Sequence, residues 1–218
     1  MSPPRLVVFD LDGTLADSHA AILACFGAAL AACGRPPVPE AEVTRRIGLP
    51  LVRIFAEVCP GDAAAHAALV AAYRDAWWST SPSLTRAFDG VPALVGALRA
   101  RGVSLAVATS KARAGALRTL DDIGLRRAFS LVLGVDCGPP PKPHPAFLAA
   151  ALRAFDCPPA AALMVGDATF DVEMAVAAGV PALGVAWGAH SPAALHAAGA
   201  RAVCADVPAL ARALGVAA

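Results

Sequence analysis

Charge is sparse in this chain. Only 16% of its 218 residues are Asp, Glu, Lys or Arg, and the formal net charge is +1. A chain so nearly neutral offers no electrostatic case for nucleic acid or for an anionic membrane surface. Cysteine occurs as Cys25, Cys33, Cys59, Cys137, Cys157 and Cys204, but never as a Cys-x-x-Cys pair. That scatter fits neither a zinc site nor a disulfide framework, and predicts reduced, mostly buried thiols in a cytosolic protein. Apolar runs of membrane-spanning length are missing too. Met174–Ala189 is uncharged, but Gly179 and Pro181 divide it into a helix end and a new strand, and Ala20–Gly34 is shorter than a span needs. The opening Met1–Arg5 carries no signal-peptide pattern and leads toward a strand. Internal repeats and low-complexity tails are also lacking. The expectation is a soluble, cytoplasmic protein, monomer or homodimer, with neither a nucleic-acid nor a membrane partner.

What is present is apolar: 57% of residues are hydrophobic, and many of these are Ala, which favours helices over a greasy core. The length suffices for one large domain or for a domain with a smaller one inserted. The chain is organised around Arg5-Leu6-Val7-Val8-Phe9-Asp10-Leu11-Asp12-Gly13-Thr14. Its apolar, partly β-branched run reads as a buried strand. Residues two apart on a strand face the same side, so Asp10 and Asp12 can point together into one site at the strand's end. Gly13 permits a sharp turn there. Two carboxylates so close repel unless a cation or a shared proton lies between them, and hard cations such as magnesium take oxygen ligands.

Beyond this strand, helical signals run from a cap at Asp17 or Ser18 to about Ser81, broken at Gly34–Pro39, Gly48–Pro50 and Pro60–Asp62. They predict an all-helical insert of roughly four helices. From Phe88 onward helix and strand alternate. Strands are expected over Val103–Thr109, Phe129–Val135, Ala161–Val165, Ala182–Val185 and Ala202–Ala205. Helices are expected over Pro92–Arg101, Ala112–Asp121, His144–Phe155, Phe170–Ala178, Pro192–Ala198 and Pro208–Leu214. Such alternation implies an α/β fold, a doubly wound parallel sheet with helices on both faces. The expected division is an α/β core of residues 1–16 and 86–218 and a helical cap of residues 17–85.

Three more chemical signals fall at expected strand ends. Thr109-Ser110-Lys111 closes one strand, and a hydroxyl there can donate to a phosphate oxygen. Taken alone, Thr109 would serve as well as a helix N-cap. Lys142 sits in Pro139-Pro140-Pro141-Lys142-Pro143-His144-Pro145, where prolines reduce the entropy lost in positioning it; most loop lysines are merely solvated. Gly166-Asp167-Ala168-Thr169-Phe170-Asp171 follows a third strand. Asp167 there could ligate a metal, and Asp171 could ligate through water or brace Lys142. A helix N-terminus also favours such acids, which accounts well for Asp171 and less well for Asp167.

In this order and on four strand ends, the constellation Asp10-x-Asp12-Gly13-Thr14, Thr109, Lys142 and Gly166-Asp167-x-x-x-Asp171 resembles the haloacid dehalogenase-like hydrolase superfamily. The helical insert between the first two motifs matches the subgroup that holds phosphoglycolate phosphatase and β-phosphoglucomutase. The resemblance covers nearly the whole chain. It implies a Rossmann-like core with a helical cap, and a magnesium-dependent phosphomonoesterase acting on a small organophosphate, most readily 2-phosphoglycolate. Asp10 would be the nucleophile and Asp12 the general acid and base. Magnesium would be held by Asp10, the backbone carbonyl of Asp12, and Asp167, while Thr109, Ser110 and Lys142 would bind the phosphoryl group. The superfamily's dehalogenases usually carry an aromatic residue where Asp12 stands. Its β-phosphoglucomutases tend to carry a His where Ile22 stands and a bulky aliphatic residue where Thr14 stands. Both departures disfavour a phosphosugar mutase. A broad-specificity phosphatase is compatible with the same motifs. A non-catalytic binding module would keep the fold, but is disfavoured because every catalytic position is filled.

Within the insert, Arg45-Arg46-Ile47-Gly48-Leu49-Pro50 is the best candidate specificity loop. Arg45 or Arg46 there could grip a substrate carboxylate, or could simply be exposed arginines at a helix end. Tyr73-Arg74 and Trp77-Trp78 read as core and as interface with the sheet. His19 reads as a polar helix start, and His190 follows a strand end without an assigned role. Asp17-Ser18 and Pro82–Gly90 should join the insert to the core and allow closure over substrate.

Overall fold

The computed structural model describes residues 4–216. The outermost residues of the expected core, 1–3 and 217–218, lie outside that range. Six parallel strands form one sheet: β1 (Leu6–Phe9), β4 (Ser104–Ala108), β5 (Leu131–Leu133), β6 (Ala162–Gly166), β7 (Ala182–Val185) and β8 (Ala202–Cys204). Their spatial order is β5-β4-β1-β6-β7-β8, all parallel. β1 lies between β4 and β6, with Phe9 in register with Val107 on one side and Val165 on the other. The chain therefore winds outward from β1 in one direction and then returns to build the other half. Ligands of open α/β sheets bind at such a switch point, beyond the carboxyl ends of the strands.

β1 has no polar face because both of its sides are covered. Val7 and Phe9 enter one cluster with residues of α5 (Val91–Ala100), α6 (Arg113–Asp122) and α10 (Val207–Ala213). Leu6 and Val8 enter the opposite cluster with α7 (Pro145–Ala154), α8 (Thr169–Ala177) and α9 (Pro192–Ala197). Burial on both faces is what gives a parallel strand its continuous apolar run. The α/β class and the order of elements agree with the sequence reading. β5 is shorter than expected: Arg126–Ala128 form a 3-10 turn and Phe129 packs edge-on to Phe9. Past Leu133 the strand gives way to Gly134, whose missing side chain lets it sit against the backbone of Arg113; a Cβ would stand 2.4 Å from that nitrogen.

Residues 19–84 are helical in four pieces: α1 (His19–Ala32), α2 (Glu40–Thr44), α3 (Leu51–Val58) and α4 (Ala63–Leu84). They have a core of their own, in which Phe26 stacks on Phe55 at 4.3 Å between ring centroids, with Leu69, Tyr73 and Trp77 around them. Asp62 caps α4 by accepting from the Ala65 N–H at 2.9 Å. α4 runs past the expected stop near Ser81 and carries Pro82 inside it. Proline there forgoes one backbone bond, and the helix continues only two residues beyond it. Two short strands that the sequence pattern does not announce flank this segment. β2 (Ala16–Asp17) and β3 (Arg86–Ala87) pair antiparallel, so the chain leaves and re-enters the sheet region through adjacent strands. Among the described residues, no helix is long and apolar enough to cross a membrane, and the six cysteines are free.

Candidate active site

The residue after β1 is Asp10, held in place by its N–H, which donates to the Val165 carbonyl of β6 at 2.8 Å. Its side chain is buried. Lys142, from the proline-rich loop between β5 and α7, places its ammonium 2.8 Å from Asp10 Oδ1 and 2.5 Å from Asp171 Oδ1. Asp171 sits in the first turn of α8, and its other oxygen accepts from the Ala168 N–H at 3.2 Å. Asp171 thus braces Lys142 and ties the start of a helix, two of the roles its sequence position suggests. Burial alone would push the Lys142 ammonium down, but Asp10 and Asp171 outweigh it and hold its pKa above the ordinary lysine value. The lysine is a fixed positive charge in the site.

Asp167 follows β6. Its Oδ1 accepts from the Thr14 hydroxyl at 2.8 Å and its Oδ2 from the Ala189 N–H at 2.8 Å. Thr14 is steadied in turn, its carbonyl accepting from the Trp187 indole at 3.3 Å. Two glycines close on Asp167 from distant parts of the chain. A Cβ on Gly13 would stand 2.2 Å from Asp167 Oδ2, and one on Gly188 would stand 2.2 Å from Asp167 Cβ. Gly13 also has φ +81°, a backbone conformation that glycine adopts without penalty. Asp10, Asp167 and Asp171 each bring a carboxylate oxygen within 4.8 Å of the others, and all three are buried. Burial pushes the Asp10 and Asp167 carboxyls above the ordinary carboxylate range; Lys142 pulls against this at both, and each carboxylate has an acidic neighbour that adds to the rise. Three carboxylates against one ammonium leave a formal excess of two negative charges. A divalent cation with oxygen ligands fits that donor set, and Asp10 and Asp167 could hold it.

Asp12 is turned toward the helical segment. Its Oδ2 lies 3.1 Å from Lys111 Nζ, and its Oδ1 accepts from the Ser18 hydroxyl at 2.6 Å. Ser18 stands at the N-cap of α1 but makes no side-chain cap bond; its hydroxyl serves Asp12 instead. Thr109 does not cap a helix either, since α6 begins later, at Arg113. Its Oγ1 accepts from the Lys111 N–H at 3.2 Å, which leaves the hydroxyl proton free to donate onward. Ser110, expected to bind phosphate, spends its hydroxyl on the Gly48 carbonyl at 2.5 Å, and so joins the sheet to the Arg45–Pro50 loop.

Above Asp10, Asp12, Thr109 and Ser110 lies a cavity of about 320 Å³, roofed by the helical segment. The roof corrects the sequence reading. Arg45 and Arg46 do not line the cavity. Arg45 pairs with Glu42, while Arg46 bonds Glu42 and Glu57, each at 2.9 Å. What their loop brings to the cavity is Ile47, Gly48, Leu49 and Pro50. Gly48 fits closely against the core, where a Cβ would stand 2.8 Å from Ala168 Cβ. Lys111 is a site residue that sequence reasoning misses, although it directly follows Thr109-Ser110; only the fold reveals that it reaches Asp12 while its ammonium lies 3.4 Å over the Trp77 ring. Tyr73 and Trp77 are buried, as expected, yet both line the cavity. His19 contacts the Thr44 hydroxyl at 3.0 Å, and His190 Nδ1 accepts from the Thr169 N–H at 3.2 Å.

A family profile described as haloacid dehalogenase-like hydrolase matches residues 7–185. The chain is 38% identical over 192 residues to probable phosphatase IndB of Dickeya dadantii, covering 85% of this chain and 83% of that one. It is 35% identical over 189 residues to phosphoglycolate phosphatase of Xylella fastidiosa strain 9a5c, covering 86% and 82%. Against tyrosine-protein kinase PtkA of Mycobacterium tuberculosis it is 37% identical over 186 residues, covering 85% of this chain but spanning only 63% of that protein. The crystal structure of a predicted phosphoglycolate phosphatase from Haemophilus somnus superposes with a TM-score of 0.89 at 25% identity, covering 98% of this chain and 99% of that one.

Proposed function

The chain belongs to the haloacid dehalogenase-like hydrolase family, and from that premise we propose that it is a magnesium-dependent phosphomonoesterase working through an aspartyl-phosphate on Asp10. The observation that carries this is the placement of Asp10, bound to the clamped Lys142 at 2.8 Å, on the floor of a cavity that Asp12 and Thr109 also line. An Asp10 oxygen attacks phosphorus as the ester P–O bond breaks, and Asp12, protonated for this step, gives its proton to the departing alkoxide. Water then attacks the phosphorus of the aspartyl-phosphate. Asp12 takes a proton from that water, the P–O bond to Asp10 breaks, and phosphate leaves with Asp10 restored. Lys142 and the Thr109 hydroxyl hold the phosphoryl oxygens while charge redistributes. Magnesium held by Asp10, Asp167 and the Asp12 backbone carbonyl would offset the repulsion between carboxylate and phosphate. Residues 17–85 act as a cap that shuts out water, moving on the β2–β3 pair.

Relatives named phosphoglycolate phosphatase support 2-phosphoglycolate as one ester to try first. The arginine clamp that reading wanted is missing, because Arg45 and Arg46 are engaged with glutamates. A phosphosugar mutase has less support still, with Ile22 and Thr14 at its diagnostic positions. The kinase name belongs to a longer protein of which this chain spans 63%. The test is phosphate release from a panel of phosphomonoesters, with magnesium and with a chelator. Release that chelation abolishes is expected; magnesium-independent release, or none from a folded protein, would overturn the proposal.

A further inference from the structure

Resting on the phosphomonoesterase reading, we infer that the ester's alcohol part is a bulky apolar group, aromatic or branched aliphatic, and neither a sugar nor the carboxymethyl group of 2-phosphoglycolate. The cavity is continuous from the catalytic carboxylates into the helical segment, and at about 320 Å³ it holds far more than a two-carbon acid. Its upper wall is made of Phe26, Ile47, Leu49, Ile54, Tyr73 and Trp77. The wall is stiff. Phe26 is backed by Phe55 at 4.3 Å, and Tyr73 stacks with Trp77 at 5.9 Å.

Several polar groups along the same lining are already committed, while the buried Trp77 Nε1–H has no partner. Lys111 is shared between Asp12 and the face of Trp77. The Ser110 hydroxyl is given to the Gly48 carbonyl, and Asp136 Oδ1 accepts from the Arg113 N–H at 2.8 Å. Arg74 is also in the lining and is exposed. Sugar hydroxyls or a second carboxylate would surrender water in this space and find few partners in return, which costs binding. An apolar group loses no hydrogen bonds there and gains the whole wall. Trp78, half-exposed and also in the lining, extends the apolar surface to the mouth.

The experiment compares three esters of primary alcohols, so that leaving-group chemistry is nearly constant: 2-phenylethyl phosphate, ethyl phosphate and 2-phosphoglycolate, all with magnesium. The phenylethyl ester should exceed the other two in kcat/KM by at least about 100-fold. Leu49→Asn and Trp78→Ala should each cut that advantage several-fold. Trp78 is exposed enough that its variant keeps the fold. In parallel, calorimetry measures the binding of 3-phenylpropylphosphonate, propylphosphonate and 3-phosphonopropionate, which need no turnover. A flat kcat/KM profile, or a preference for 2-phosphoglycolate, would overturn the apolar substrate and leave the phosphatase standing. No phosphate release from any ester, with the phenylpropyl phosphonate still bound at least tenfold more tightly, would remove the phosphatase and leave the apolar ligand class. Equal binding of the three phosphonates would sink the ligand class itself.

Discussion

The floor and the roof of this cavity are built on opposite principles. On the floor each functional side chain is fixed by a partner from another strand end: Asp10 by Lys142, Lys142 by Asp171, Asp167 by Thr14 and Ala189. Such a network is costly to break at any member, because the remaining buried charges lose their compensation. The roof is apolar packing, in which no single contact is decisive and shape is set by several side chains together. On the proposed reading, the contrast teaches that the chemistry of this molecule is specified by few residues that tolerate little change. The choice of substrate would then be spread over many residues that tolerate some.

The comparison breaks most visibly at Asp10. Asp10→Asn should lower kcat by at least about 10⁴-fold in a phosphate-release assay while circular dichroism stays native, since a neutral amide is a poor nucleophile; residual activity above that level would move the nucleophile elsewhere. Lys142→Met should cost both activity and fold. We expect at least about 10³-fold in kcat/KM and roughly 3–5 kcal/mol of stability in urea unfolding, because it strands Asp10 and Asp171 in the interior. Magnesium at a hundredfold excess over its Kd should stabilise the wild type by about 2.7 kcal/mol, a Tm rise of roughly 5–10 °C. Asp167→Asn should lose most of that rise. Calorimetric scans that shift equally in both proteins would place the cation elsewhere. On the roof side, Arg46→Ala should change kcat/KM by less than about twofold and stability by under about 1 kcal/mol, the usual range for ion pairs near a surface. A tenfold rise in KM for any ester would return Arg46 to the substrate.

The floor is legible in the sequence because its residues follow strand ends, closely except for Lys142 in the loop after β5, and are announced by local pattern. Asp10 and Asp12 stand two apart just past the end of β1, Asp171 lies four residues past Asp167, and prolines bracket Lys142. The roof is not, because its roles depend on which way a helix or loop turns after folding. Arg45 and Arg46 look free to meet a substrate, yet the four-residue spacings Glu42–Arg46 and Arg53–Glu57 already hint at pairing along helices. Ser18 is readable as a cap, and only the return of the chain beside Asp12 redirects its hydroxyl. Lys111 is adjacent to Thr109 and Ser110, but nothing local says that an aromatic ring from α4, Trp77, will lie beneath its ammonium. α4 ends at Leu84, beyond the stop that Pro82 suggests, because that proline falls in a turn that is already the helix's last.

The two glycines that close on Asp167 carry a consequence for how this protein can vary. Each reserves its position for one amino acid out of twenty, but the two vetoes differ in kind. At Gly13 an intruding methyl would meet the carboxylate oxygen, a rotatable end that can swing aside and abandon its post. At Gly188 it would meet Cβ, which cannot move without the backbone of the strand end beneath it. Drift at the first position would displace the carboxylate and also strain the turn, whose φ of +81° suits glycine. Drift at the second would press on the root of the Asp167 side chain, so neither glycine is free to change while the carboxylate keeps its place.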